Sequence, residues 1–295
     1  MELHYQVVDV FTKTPLEGNP LAVFTDARDI DGALMQRIAK ELNLAETAFI
    51  LPATQEGCAV RVRIFTPAKE MRFAGHPTIG SAYVARTNGF VPADAAAFVL
   101  EELIGPVPVR VESPNDPLLW LRTPKIDRGA RFDADACAQA VGLGVDDLLP
   151  GVPCELWSAG NPTIYIAARD AAAVDRAAAD TARLRALHAP VGEPVCTFVF
   201  APVARGAYSR MFAPDLGVPE DPATGSATGP LAAFMLAHGL APHTAAGARF
   251  ISEQGTKMGR KSELHIRLDG DRGEHGIEVG GYVAPLTRAT MVLET

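Results

Sequence analysis

Three groups of residues have types and spacings suited to chemistry. Asp221, Gly225 and Ser226 lie in a segment where the strand-like run Ser209 to Ala213 passes through a short connection into an apolar stretch, Pro230 to Gly239. Asp221 followed by Pro222 reads as a helix start, with a side-chain acceptor at the N-cap and then a residue with preset φ and no N–H. The amides of Ala223, Thr224, Gly225 and Ser226 would then converge on one spot, a site for a substrate carboxylate or a developing enolate. The stretch behind is apolar on nearly every side, so it must be buried, and Gly239 stops it. Pro230 leaves two alternatives: a helix kinked at Pro230, or a nest-like turn over 221–229 with Pro230 as the first helical residue. His76-Pro77, preceded by Gly75 and followed by Gly80-Ser81-Ala82, repeats this design after Arg63-Ile64-Phe65-Thr66-Pro67. Histidine is a poor cap, which makes His76 the more chemically suggestive residue. The third candidate is Glu46. A glutamate after a helix is commonly a solvated carboxylate. Glu46, however, stands between Leu42-Asn43-Leu44 and Ala48-Phe49-Ile50, where burial would move a carboxyl toward proton transfer at neutral pH.

The elements that must hold these residues recur along the chain. His76 and Asp221 are 145 residues apart, Arg63 and Arg210 (in Arg210-Met211-Phe212-Ala213-Pro214) are 147 apart, and the Gly18-Asn19-Pro20 and Gly160-Asn161-Pro162 turns are 142 apart. Three ordered matches at nearly one offset predict a duplicated domain. The spacing is far beyond solenoid periods of roughly 20–50 residues. We expect an N-terminal lobe over 1–113 and a C-terminal lobe over 118–287, with 288–295 a candidate to return to the first. Periodicity predicts strands at Leu3 to Phe11, Leu21 to Phe24, Ala48 to Leu51 and Val60 to Phe65, and a hairpin about Gly105-Pro106. It predicts helices over Asp31 to Leu44, from Pro77 to Arg86 and, in one piece, over Ala171 to Leu187. Late strands are expected at Arg249 to Ser252, Glu263 to Leu268, Gly276 to Val283 and Ala289 to Glu294.

Composition excludes several classes. The 295 residues suit about two domains, and 48% hydrophobic content supplies two cores. A net charge of −8 without long runs of either sign argues against nucleic acid or an anionic membrane as partner. No basic-apolar leader or membrane-length apolar run is present, so a cytoplasmic protein is expected. Cys58, Cys137, Cys154 and Cys196 form no C-x-x-C, and the histidines at 4, 76, 188, 238, 243, 265 and 275 show no metal spacing; we expect no metal and no cofactor. Gly255 to Ser262 resembles a phosphate loop but is one residue short and precedes a strand. A glycosidase pair of Glu46 and Asp221 would need aromatic sugar platforms, and two tryptophans and five tyrosines offer none evident.

Gly18-Asn19-Pro20, Leu44-Ala45-Glu46-Thr47, Gly75-His76-Pro77-Thr78-Ile79-Gly80 and Glu220-Asp221-Pro222-Ala223-Thr224-Gly225-Ser226 together resemble the PhzF family of phenazine-biosynthesis isomerases, in order and over essentially the whole chain. The resemblance implies an α+β, diaminopimelate-epimerase-like fold: two pseudo-symmetric lobes, each a mixed β-sheet or barrel around a central helix, with the site in the cleft between them. It further implies a cofactor-free isomerase moving a proton on a small carboxylate-bearing substrate, like the family's trans-2,3-dihydro-3-hydroxyanthranilate isomerase. Glu46 matches the base, His76 and Asp221 its catalytic helpers, and Gly75, Gly225 and Ser226 substrate contacts; a homodimer is implied as well. No cysteine lies at a helix-start turn, and aligning Phe49 with Phe198 sets Val195 opposite Glu46. One base on one face suits isomerisation rather than two-sided racemisation. The competing class is a non-catalytic protein of the same fold that binds a metabolite or a partner; three poised groups, Glu46, His76 and Asp221, favour the enzyme.

Overall fold

The computed structural model describes residues 1–241, 247–270 and 276–294; His243, His275 and Thr295 lie outside the described residues. The chain forms two compact units, Met1–Arg122 with Gly280–Thr295, and Thr123–Val279. Elements are numbered in chain order, and the fold is α+β.

In the first unit, β1 (Glu2–Val10) pairs antiparallel with β2 (Asn19–Phe24), which runs parallel to β3 (Glu46–Leu51). The crossover between β2 and β3 is α1 (Gly32–Leu42), capped by Asp31, whose carboxylate accepts from Leu34 N. Next, β3 pairs antiparallel with β4 (Val60–Phe65), and β4 with the short β5 (Glu70–Met71). Then α2 (Gly75–Thr87) crosses over to β6 (Ala97–Glu102), parallel to β4. The antiparallel strands β7 (Gly105–Val111) and β8 (Leu119–Arg122) follow. The last strand, β18 (Val283–Val292), pairs with β1.

The core under α1 is a run of aromatic rings: Tyr5 stacks on Phe24 at 4.9 Å, Phe24 on Phe49 at 4.8 Å, and Phe65 meets Phe49 edge-on at 5.5 Å. By contrast, α2 is buried on almost every side, and its small residues allow this. A Cβ at Gly80 would come within 2.5 Å of the Leu21 side chain, so any larger residue there would have to push buried side chains of the sheet aside.

In the second unit, β9 (Asp127–Phe132), α3 (Ala134–Ala140), β10 (Cys154–Ser158) and β11 (Thr163–Ala167) lead into α4 (Ala171–Arg176) and α5 (Thr181–His188). The strand β12 (Cys196–Val203) is parallel to β11 and antiparallel to β13 (Gly206–Ala213). After β14 (Val218–Asp221), α6 (Gly225–Ala237) crosses over to β15 (Gly247–Gln254), parallel to β13. The unit closes with β16 (Ser262–Asp269) and β17 (Ile277–Gly281). Phe234 of α6 is the centre of its core, against Trp157, Tyr165 and Phe200 at ring distances of 5.6 to 6.2 Å.

Several local expectations are corrected. The single helix expected over Ala171 to Leu187 is two. The chain turns out at Ala177, and Asp180 starts α5 by accepting from Ala182 N and Arg183 N. The final strand begins at Val283 rather than Ala289, immediately after Tyr282, whose carbonyl accepts from Phe11 N and Thr12 N. Neither Asp221 nor His76 is an N-cap. Asp221 ends β14, and α6 starts after Thr224; His76 is already the second residue of α2, which starts after Ala74. Pro230 lies inside α6, so the helix does not begin there.

Candidate active site

In the first unit, β3 and α2 bring two of the expected residues together. Glu46 opens β3 and is paired in register with Leu21 of β2. His76 sits in the first turn of α2 beside Gly75, both buried. Glu46 Oε2 lies 3.5 Å from His76 Nδ1. Burial pushes the His76 imidazole down to about 3, against a weaker upward pull from the Pro20 backbone. The ring is therefore neutral at neutral pH, and its contact with Glu46 is polar rather than ionic. Its Nε2 is buried without a hydrogen-bond partner. A neutral imidazole so placed can donate to or accept from a substrate atom without bringing a charge of its own.

In the second unit the corresponding turn is tied up by side chains. Asp221 Oδ2 accepts from Thr224 Oγ1 at 2.5 Å. Gln254, at the end of β15 and fully buried, donates to Asp221 O at 2.7 Å and to Thr224 Oγ1 at 3.0 Å, and accepts from Thr224 N at 3.2 Å. Gln254 thereby takes an amide at the helix start, which is why Asp221 does not cap α6. Asn161 Nδ2 donates to Ser226 Oγ at 3.1 Å. Gly225 and Ser226 form the first turn of α6, where backbone N–H groups have no acceptor within the helix and the dipole favours an anion.

A matching fork stands ahead of each helix, α2 and α6, in the chain. Arg63 donates to the two oxygens of Glu70 at 2.7 and 2.8 Å, and Arg210 to those of Glu220 at 2.8 Å each. Each guanidinium also covers a ring, Phe65 at 5.1 Å and Phe212 at 5.0 Å. Sequence reasoning singled out these arginines as repeat markers and missed that they tie β4 to β5 and β13 to β14. It also noted Asn161 only as part of a turn and overlooked Gln254; the signal available for Asn161 was its place in the repeated Gly-Asn-Pro. The strand registers correct the match expected from the sequence: Thr163 pairs with Cys196 as Leu21 pairs with Glu46, and Val199 with Arg210 as Phe49 with Arg63, so Cys196 rather than Val195 corresponds to Glu46. Cys137, Cys154 and Cys196 are buried, and burial first, then the Asp221 and Asp215 charges, push Cys196 up to about 12.

Residues 8–288 match the PhzC-PhzF family, described as phenazine biosynthesis-like proteins. The trans-2,3-dihydro-3-hydroxyanthranilate isomerase of Pseudomonas aeruginosa is 36% identical over 287 residues, covering 94% of this chain and 95% of that protein. Its counterpart from Pseudomonas chlororaphis is 34% identical over 292 residues, covering 98% and 99%. Among solved structures, a predicted epimerase from Pseudomonas aeruginosa superposes with a TM-score of 0.81 at 32% identity, covering 99% of this chain and all of that one. A PhzF-family protein from Bacillus anthracis shares the fold with a TM-score of 0.87 at 23% identity, over 99% of this chain and all of that one. The chain belongs to the PhzF family and is an isomerase with that family's epimerase-like α+β fold.

Proposed function

We propose that the protein moves a proton on a small carboxylate-bearing metabolite without a cofactor, and that trans-2,3-dihydro-3-hydroxyanthranilate is the first substrate to test. The observation that carries this reading is the contact between Glu46 and a buried, neutral His76. Glu46 removes the acidic C–H proton, exchanges it with solvent, and delivers a proton at another carbon of the same face. His76 holds a polar group of the substrate while charge develops. Asp221, with the Gly225 and Ser226 amides, orients the substrate and takes up negative charge. The assignment of residues from both units to one substrate rests on the family resemblance. Incubation in deuterated water should place solvent deuterium at the new C–H position of the product. Product without deuterium, formed at full rate, would refute a base that exchanges its proton with solvent between turnovers.

Three further readings accompany this one. The units are internal duplicates, the enzyme is cytoplasmic, and it works as a homodimer. Sedimentation at micromolar concentration tests the last, a stable particle of the 31.3 kDa chain mass being the negative result. No helix among the described residues is long and apolar enough to cross a membrane.

A further inference from the structure

We propose that Glu102 is carried in the fold as a neutral carboxylic acid that donates its proton to Thr78, and that this bond positions the first turn of α2, and with it His76. The inference rests on the role proposed above for His76.

Thr78 is two residues beyond His76, and its hydroxyl makes two close contacts, to Ala74 O at 2.8 Å and to Glu102 Oε1 at 2.6 Å. A hydroxyl has one hydrogen, and a carbonyl can only accept. If Thr78 donates to Ala74 O, the bond to Glu102 must be donated by Glu102. The acid then completes a chain from β6 through Thr78 to the residue that precedes α2. An ionised Glu102 would instead be a buried charge served by one donor, its Oε2 being buried without a hydrogen-bond partner.

Among the described residues, no cation offsets the burial of Glu102. On β6 itself, Glu101 accepts from Thr54 and Gln55 and pairs with Arg61 at 3.6 Å. On α2, His76 faces Glu46 and Arg86 donates to the carbonyls of Ala93 and Ala95. Across on β7 stands Gly105, and Arg72 reaches this end of β6 through its backbone carbonyl, which accepts from Ile104 N. The Glu102 carboxyl is pushed up to about 8 by burial, only partly offset by the Thr78 hydroxyl.

The test uses the full chain and two readouts. The first is the infrared carboxylic-acid band of the folded protein against pH, which needs no substrate. It should contain a component that disappears as pH passes about 8 and is missing from Glu102→Gln. The second is turnover of trans-2,3-dihydro-3-hydroxyanthranilate against pH. Wild-type kcat should fall by about tenfold in all and then level off as pH passes the Glu102 transition, a limb that Glu102→Gln should lack because its amide still donates. Thr78→Val should lower kcat about tenfold with KM little changed, and Thr78→Ser should restore it. An acid band absent at pH 7, or the same alkaline limb in Glu102→Gln, would overturn the proposal. If Glu102→Gln does not fold, the wild-type band decides its protonation and the valine–serine pair decides positioning. If the band is present but His76→Ala turns over normally, the failure lies with His76 and not with Glu102.

Discussion

In the first unit Arg63 forks onto Glu70, and α2 then begins with Gly75 and His76. In the second unit Arg210 forks onto Glu220, and α6 begins with Gly225 and Ser226. Around this shared frame the two turns carry different groups. The first places a carboxylate beside a neutral ring whose Nε2 has no partner. The second ties its aspartate, threonine and glutamine together by hydrogen bonds, and at the strand position that Glu46 holds in the first unit it carries the buried thiol of Cys196. A strand pair tied by an arginine fork ahead of a buried helix thus recurs in both units, with different side chains set on the turn that follows it. The under-bonded turn suits a group that must change partners during turnover, and the closed turn suits one that must stay put.

The largest expected effect breaks the asymmetry at its source. Glu46→Gln keeps shape and hydrogen-bonding capacity but cannot accept a proton, so kcat should fall roughly 10²–10⁴-fold while substrate still binds. Wild-type turnover by this variant would remove the base from the first turn. Asp221→Asn should cost less, about 10–10²-fold in kcat/KM and mainly through KM, because an orienting group acts before and during the chemical step. A purely kcat effect as large as that of Glu46→Gln would make the two turns chemically equivalent.

The frame itself can be sharpened next. Arg63→Ala and Arg210→Ala each leave a half-buried carboxylate without its fork, and each should lower unfolding free energy by about 1–3 kcal/mol. Denaturant titration giving a large cost for one and none for the other would show that the two forks are not equivalent. Gln254→Ala should destabilise by about 1–2 kcal/mol and raise KM, because three hydrogen bonds at the α6 start are lost.

Near neutral pH the smallest effect is the His76 part of the pH dependence of stability within the first unit, which grows only as pH falls below 6.5. His76 titrates at about 3 in the fold against 6.5 for an ordinary histidine. Its contribution is present above 6.5 and is lost as pH falls toward 3, because the unfolded chain binds the proton first. Glu102 acts oppositely: its contribution is full below 4.5 and is lost as pH rises through about 8. Thermal unfolding across pH should show the acid-side loss reduced in His76→Gln, with a slope difference of at most about 1.4 kcal/mol per pH unit. An unchanged acid side would mean that the imidazole is not held neutral by burial.

Much of this was legible in the amino-acid order. The alternation in β1, the helix beginning at Asp31, the pairing of β6 with β7 and the all-round apolar stretch of α6 follow from local rules, because period and turn chemistry are properties of neighbouring residues, although the hairpin turns at Leu103-Ile104 and Gly105-Pro106 already belong to β7. The family motifs likewise marked Glu46, His76 and Asp221 in one dimension. What lay beyond the sequence was which atoms meet. The Asp221-Pro222 pair has the local signature of a helix start, yet Gln254, 33 residues on, takes the Thr224 amide and the helix begins later. The break between α4 and α5 depends on Asp180 as a cap and on Arg210, whose guanidinium reaches the Ala177 carbonyl. The neutrality of His76 and the close contact of Glu102 with Thr78 are also tertiary facts, since burial by β-strands far along the chain sets them. Local propensity writes the elements, but protonation and hydrogen-bond partners depend on the dielectric and the donors that distant segments bring.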